Sequence, residues 1–451
     1  MAGRRAAGGG LAHRVRLTGR LIRSGAASES ISMRPKDTHL ITSDHEPTLP
    51  APVARLHPRP VAAAATTADT GPGTARTPAR AALRAVETPV PPALPALEPA
   101  AKAGPGALRY RLLDLALEHQ VAPDSLLRAG SRYGAWARER RESRGGVVAQ
   151  EERLRVLLRR MSSGLIAEVP EKANEQHYEL PPAFIGLILG PRRKYSSSLW
   201  EPGAGTLEQA EDAMLSLSCL RAQVRDGMKV LDLGCGWGSL SLWLAEHYPS
   251  SRITGVSNST RQRAWIESER DRRGLTNLEV ITADVNDFAP SERFDRVMSI
   301  EMFEHMRNWH ELLRRISTWL VEDGKAFVHV FSHRTLPYLF QSTWAAERFF
   351  TAGLMPSHDL LPRFQEHLVL ADRWVESGSH YAKTLRAWLA RLDAHSDEAL
   401  ELLIADGRSR REARTLLGCW RLFLLSTEEI WSYRGGDHWL VSHYLLEPRS
   451  S

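Results

Sequence analysis

The chain reads as an α/β protein with a doubly wound, mostly parallel sheet, a set of helices before it and a helical cap after it. Three observations predict this. Residues 230–248, VLDLGCGWGSLSLWLAEHY, run through a strand, a glycine hinge and a helix in one pass. From about residue 170 to 335, short apolar runs alternate with helical patterns, which implies a parallel sheet covered on both faces. From 336 to 437 the alternation gives way to a mainly helical pattern rich in aromatics, among them Trp344, Phe349, Phe350, Trp374, Tyr381, Trp388, Trp420, Phe423 and Trp431.

Taken from the N-terminus, residues 1–28 carry six arginines and no acid. That composition is shared by organelle transit sequences and by basic tails; no apolar run of a secretory signal is present. Residues 46–105 hold 13 of the 26 prolines, mixed with Ala, Thr and Gly. Such a stretch buries too little apolar area to offset its ordering entropy, so residues 1–105 are expected to be a disordered extension. Residues 106–169 are expected to be helical: Leu112, Leu113, Ala116 and Leu117 begin one pattern, and Leu154, Val156, Leu157 and Leu158 lie in a second, very basic one.

Residues 170–335 form the expected core domain. Its strands are placed near 230–233, 253–256, 278–282, 295–300 and 326–331, and its helices near 207–224, 239–247, 260–273 and 308–320. Gly274 and Gly324 sit where helices or turns should end. Residues 336–451 form the cap, and HWLVSHYL at 438–445 has the strand character needed to return to the sheet edge.

Charged residues make up 25% of the chain and the net charge is +6, modest for 451 residues. The basic clusters lie mainly in the N-terminal third, which argues against a nucleic-acid partner. Cys219, Cys235 and Cys419 are too few and too scattered for a disulfide framework or a zinc site. A reducing, cytoplasmic setting is the simplest expectation. No run approaches the length of a membrane span, so lipid contact, if any, is peripheral.

The chemistry should gather beyond the carboxyl ends of the strands. Gly234, Gly236 and Gly238 let the backbone turn and approach a ligand where a side chain would collide. Asp232 is an acid inside the first strand and needs a partner there. The sixth position of the hinge is Ser239 where a dinucleotide fingerprint wants glycine, so a nucleoside-bearing cation fits better. The second strand ends in neutral Ser257 and Asn258, followed by Gln262, all able to bond hydroxyls. The third ends in Asp284 and Val285, suited to an amino group and a ring face, or in Asp284's case to capping a turn.

The fourth strand runs into EMFEH, with Glu301, Glu304 and His305 within five residues. On a helix their spacings of three and four would share a face. Clustered carboxylates hold a cationic amine, and a neighbouring base takes its proton. NEQHYELP at 174–181 and KYSSS at 194–198 mix polar and aromatic residues as a lid or a surface loop would. His329, inside an apolar strand, is expected to be a buried, hydrogen-bonded histidine. His305 with His333 is not a convincing metal pair, and no metal site is expected.

In order along residues 170–446, NEQHYELP, KYSSS, TLEQAEDAML, the glycine hinge, ITGVSNS, SIEMFEHM, FVHVFSH, FFTAGLMP and HWLVSHYLL resemble the cyclopropane fatty acid synthase family of S-adenosylmethionine-dependent methyltransferases. The likeness is closer to its amine-methylating, coclaurine N-methyltransferase-like branch. The resemblance implies a class I methyltransferase (Rossmann-like) fold with a seven-stranded sheet and S-adenosyl-L-methionine as cofactor. It implies that Tyr195, Ser196, Asp232, Gly234, Gly236, Ser257, Asn258, Gln262, Asp284 and Val285 surround that cofactor. Glu301, Glu304 and His305 would then position a small amine and assist its deprotonation. In the lipid branch a bicarbonate ion takes the proton, beside a cysteine where this chain has Ser197; that departure and Glu301 favour the amine. A lipid acyl chain as acceptor, or a non-catalytic binding role, are the alternatives.

Overall fold

The protein is described from a computed structural model. The structure describes residues 115, 117–118, 122–168, 180–340 and 343–449. The expected extension 1–105, Leu112, Leu113 and Ala116 of the first N-terminal pattern and the segment 174–179 lie outside the described residues, while Leu117 of that pattern is helical and buried.

Among the described residues, α1 (Asp124–Glu142) and α2 (Gly146–Arg160) precede the core. The short α3 (Pro182–Ile188) and then α4 (Leu207–Arg221) lead into the sheet. Thr206 caps α4, accepting from the Gln209 amide while the Gln209 side chain returns the bond. The core then alternates β1 (Lys229–Leu233), α5 (Ser239–His247), β2 (Arg252–Ser257), α6 (Thr260–Arg273), β3 (Leu278–Thr282), β4 (Phe294–Ile300), α7 (Trp309–Trp319) and β5 (Leu320–His333). A two-stranded ribbon of β6 (Tyr338–Leu339) and β7 (Leu354–Met355) flanks α8 (Trp344–Arg348). Strand β8 (Leu368–Ser377) follows, then α9 (Gly378–Ala394), α10 (Ser396–Ala405), α11 (Arg410–Trp431) and β9 (Trp439–Pro448).

The seven-stranded sheet has the order β3-β2-β1-β4-β5-β9-β8. The first five strands are parallel, while β9 runs antiparallel to both β5 and β8. Chain order reverses between β1 and β4, and the ligand crevice of such a sheet opens beyond that point. Period-two alternation splits the buried side chains. Leu231, Leu233, Val297, Val328 and Val330 face α7, while Val230, Ile253, Met298 and Phe327 face α4, α5 and α6. A third cluster, built on Trp388, Trp420, Leu424 and Leu425, is the core of the cap.

Residues 336–437 are mainly helical, and β8 within them forms the far edge of the sheet. Exposed Asp372 and Arg373 break the apolar run that marks an interior strand, so β8 carried no strand signal. Two expectations need correction. Gly324 lies inside β5 and does not end an element; the register of β5 against β4 shifts beside it. Residues 301–305 are not an α-helix: Glu301 is left-handed at φ 48° and only Phe303–His305 form a single 3₁₀ turn. Among the described residues, no helix is long and apolar enough to cross a membrane.

Candidate active site

The hinge leaves β1 at Gly234, whose φ of 83° is left-handed and whose absent Cβ would lie 2.8 Å from the Met302 sulfur. The Gly234 and Cys235 amides both bond the Val256 carbonyl, pinning the hinge to β2. Gly234, Gly236, Ser257, Asn258, Gln262, Asp284 and Val285 line one cleft, together with Glu301, Met302 and His305. The hinge, the neutral β2 end and the acid after β3 thus meet at the carboxyl edge, as their positions predict.

Ser257 donates to Gln262 Oε1 at 2.6 Å, and the Gln262 amide nitrogen is buried with no partner. An orphaned donor facing a cleft calls for a ligand acceptor such as a ribose hydroxyl. Asp284 Oδ1 accepts from the Asn286 amide at 2.8 Å, so its turn-capping role is real, while the residue still lines the cleft. These groups fit a nucleoside with vicinal hydroxyls, the part of S-adenosylmethionine a β2 end would hold.

Three further expected residues do not line this cleft. Asp232 is buried behind the hinge and accepts from Ser241 at 2.6 Å. It faces α5 because alternation in β1 turns even positions away from the crevice. Ser196 is buried and accepts from Lys194 Nζ at 2.5 Å. Tyr195 packs between Trp388 and Trp420 and faces the cap. Lys194 and Ser196–Ser198 are buried, so this stretch is not a surface loop.

Burial pushes the Asp232 carboxyl up to about 7 against the pull of the Ser241 hydroxyl. A free aspartate titrates near 3.9. The folded chain therefore holds this proton more tightly than the unfolded chain does. The stability it contributes is present below about pH 4 and is lost as pH rises towards 7. Asp232→Asn is expected to remove that contribution, so the loss of stability between about pH 5 and about pH 7.5 in denaturant melts should be smaller in the variant than in wild type. Parallel pH dependence of wild type and variant would sink this assignment.

A second, larger cavity of about 560 Å³ opens between the sheet edge and the cap. Its walls come from α1, β5, α8, α9 and α11 and are mostly apolar, with Phe331, Phe350, Tyr381, Trp388, Phe423 and Trp431 prominent. Glu301 and His305 line both spaces, and Glu304 lines the second. The EMFEH segment is thus the partition between a nucleoside cleft and an aromatic cavity.

Glu301 owes its orientation to its left-handed backbone, which the bond from its amide to the His329 carbonyl holds in place at 2.8 Å. Its carboxylate accepts from the Ser197 amide at 3.0 Å and the Tyr381 hydroxyl at 2.6 Å, with His329 Nε2 at 3.3 Å. Burial pushes this carboxyl above its usual range, while Lys194 and the two donors pull against it. Glu304 is buried, and its Oε2 has no partner. Burial first, and the charge of Glu301 second, push it well above the carboxylate range. His305 stacks its ring parallel to Phe350 at 5.8 Å.

Sequence reasoning missed Tyr381 and passed over Lys194. Tyr381 arrives on α9 because Gly378 lets that helix start against the Trp439 and Trp431 carbonyls, where a Cβ would collide. Lys194 is fully buried between Glu301 and Glu211, and burial pulls its ammonium down to about 8. A lysine amid serines carried no signal of that burial. His329 is the buried, hydrogen-bonded histidine its apolar strand predicts. His333 accepts the Thr335 and Leu336 amides on Nδ1.

The family described as mycolic acid cyclopropane synthetase matches residues 167–432. The chain is 38% identical over 309 residues to the (S)-coclaurine N-methyltransferase of Thalictrum flavum subsp. glaucum, covering 67% of this chain and 85% of that one. It is 32% identical over 243 residues to the cyclopropane-fatty-acyl-phospholipid synthase of Escherichia coli K12, covering 53% of this chain and 60% of that one. A crystal structure of coclaurine N-methyltransferase bound to N-methylheliamine and SAH superposes with a TM-score of 0.71 at 35% identity, over 75% of this chain and 99% of that one. The cleft, the hinge and these likenesses agree, and the chain belongs to the mycolic acid cyclopropane synthetase family of S-adenosylmethionine-dependent methyltransferases.

Proposed function

We propose that this methyltransferase N-methylates a small, largely apolar amine. The observation that carries this reading is the acidic partition: Glu301, Glu304 and His305 stand where the nucleoside cleft meets an aromatic cavity. When bound, S-adenosylmethionine supplies an electrophilic methyl group on a sulfonium. The hinge glycines, Ser257, Asn258, Gln262, Asp284 and Val285 would hold its nucleoside, and the aromatic cavity would hold the acceptor. Aligning the two partners and excluding water can supply on the order of 7–11 kcal/mol of the barrier.

An amine must be neutral to attack. Glu301, bonded by Tyr381 and Ser197, is the acceptor for its proton, with His305 assisting. Glu304 has one oxygen free to bond the nitrogen or a neighbouring polar group. The two carboxyls differ in environment, three donors at Glu301 against none at Glu304 Oε2, which is how one site keeps one acid ionised and the other protonated.

The aromatic walls also suit an acyl chain, so a lipid acceptor is the second reading. Incubation with methyl-labelled cofactor and either an amine panel or total phospholipid separates the two. Label is expected in hydrophobic aryl-alkyl amines; label in the lipid fraction alone would overturn the amine reading.

A further inference from the structure

The polar contacts of Glu301 continue through the sheet. His329 on β5 and His443 on β9 are directly opposed across the strands, their ring centroids 4.5 Å apart, and neither reaches solvent. His329 Nδ1 lies 2.9 Å from His443 Nε2. His443 Nδ1 lies 2.7 Å from a guanidinium nitrogen of Arg221, the last residue of α4. Arg221 in turn donates to Glu376 of β8 at 2.6 Å and lies over the Trp374 ring. Four side chains thus contact one another in succession, Glu301 just past β4, His329, His443 and Arg221.

The far end sets the direction of every bond. A guanidinium has donors only. His443 must therefore present a bare Nδ1 to Arg221, and a neutral His443 carries its proton on Nε2. That proton points at His329, whose Nδ1 must be bare in turn. The His329 proton then sits on Nε2 and points at Glu301 Oε1. Burial pulls both imidazoles well below their usual range, and the charges of Lys194 and Arg221 act in the same direction, so both rings are neutral. Two N–H groups, from His329 and Ser197, then converge on one carboxylate oxygen. A proton placed on that oxygen would face both donors.

We propose that Arg221 is a positioning residue for methyl transfer: acting through His443 and His329, it fixes both tautomers and keeps Glu301 Oε1 an acceptor. This rests on the reading of Glu301 as the group that takes the amine proton. The line is a tautomer lock and not a proton exit, since an arginine at its end has no lone pair to receive one. The other charged or titratable groups around Glu301 are Lys194 and Tyr195 from the loop before α4, Tyr381 from α9, and Glu304 and His305 from the turn that follows it. None of them touches His443 Nδ1, so the lock is read separately from them.

The test uses the full chain labelled with ¹⁵N-histidine, with His329→Gln and His443→Gln to assign the two rings. In wild type at neutral pH both rings are expected to be protonated at Nε2 and bare at Nδ1. In Arg221→Met, His443 should lose that single tautomer. Activity needs Glu301 ionised, so it rises with pH through the Glu301 titration. The acid limb of kcat/KM should therefore move to higher pH in Arg221→Met, by about half a unit to one unit. Arg221→Lys, also donor-only, should move it back towards wild type, and cofactor titration and thermal melting should show both variants folded.

A protonated His443 Nδ1 in wild type, or an unmoved acid limb in folded Arg221→Met, would overturn the proposal. Full turnover by Glu301→Gln with the tautomers as stated would sink the reading of Glu301 while upholding the lock. Disordered tautomers with Glu301-dependent turnover would do the reverse.

Discussion

Glu301→Gln is expected to lower kcat by about 10²–10⁴-fold while leaving cofactor affinity within a few-fold of wild type. The side chain is only 6% exposed and touches Ser197, Tyr381 and His329, so an amide of the same shape keeps the packing. What it loses is the capacity to take a proton. The amide also sets an NH₂ against at least one of the present donors, at a cost of about 1–3 kcal/mol for an unmatched buried group. His305→Ala should fall in the same direction, since His305 lines both cavities beside Glu301. Steady-state kinetics on a turned-over amine, paired with calorimetric cofactor titration, separate the two effects. Undiminished kcat in both variants would remove these residues from the proposed mechanism.

Gly234→Val should weaken cofactor binding by roughly ten- to a hundredfold, from about 1–3 kcal/mol of backbone strain and displacement. A β-branched residue at a φ of 83° is held far from its allowed conformations. Its Cβ would also meet Met302 Sδ at 2.8 Å and Cγ at 2.9 Å. Met302 lines the nucleoside cleft and adjoins Glu301, so a shift there reaches both halves of the site. Calorimetry with S-adenosylhomocysteine reads the loss. Wild-type affinity in the variant would mean that the hinge does not bear on the cofactor. Glu301→Gln should therefore act on kcat with little change in cofactor binding, whereas Gly234→Val should weaken binding and, through Met302, lower kcat as well.

Most of the core was legible because its signals are local. The alternation of β1, α5, β2, α6, β3, β4 and α7 follows from runs of apolar residues at strand or helix spacing, and the helices at 239–247 and 260–273 fall where that spacing puts them. The hinge glycines, Ser257, Asn258, Gln262, Asp284 and Val285 were legible for the same reason. Each sits within a few residues of a strand's carboxyl end, and a parallel sheet brings all those ends to one edge. Asp232 was visible as an unusual buried acid, but its distance from the cleft depends on which way an even position in β1 points, and that is set by what packs on each face.

EMFEH marks the exception within the legible part. Its residue types named the chemistry, yet helical spacing gave the wrong geometry. A left-handed residue at Glu301 is a conformation no local propensity favours; the bond to the β5 carbonyl at His329 and the contacts of Ser197 and Tyr381 hold it. Those partners stand 28, 104 and 80 positions away along the chain.

By itself, then, the sequence determined the class of fold, the residues that gather in a cleft at the carboxyl edge of the sheet and the residue types of the acidic segment, because each is written in spacings of two to five residues. The tertiary structure decided which groups meet. Tyr381 reaches Glu301 only because β8 turns sharply at Gly378 into α9, and His329 faces His443 only through the antiparallel register of β5 and β9. Register and packing are long-range properties: a shift of one residue in β9 would turn His443 to the opposite face, with every local signal in the sequence unchanged.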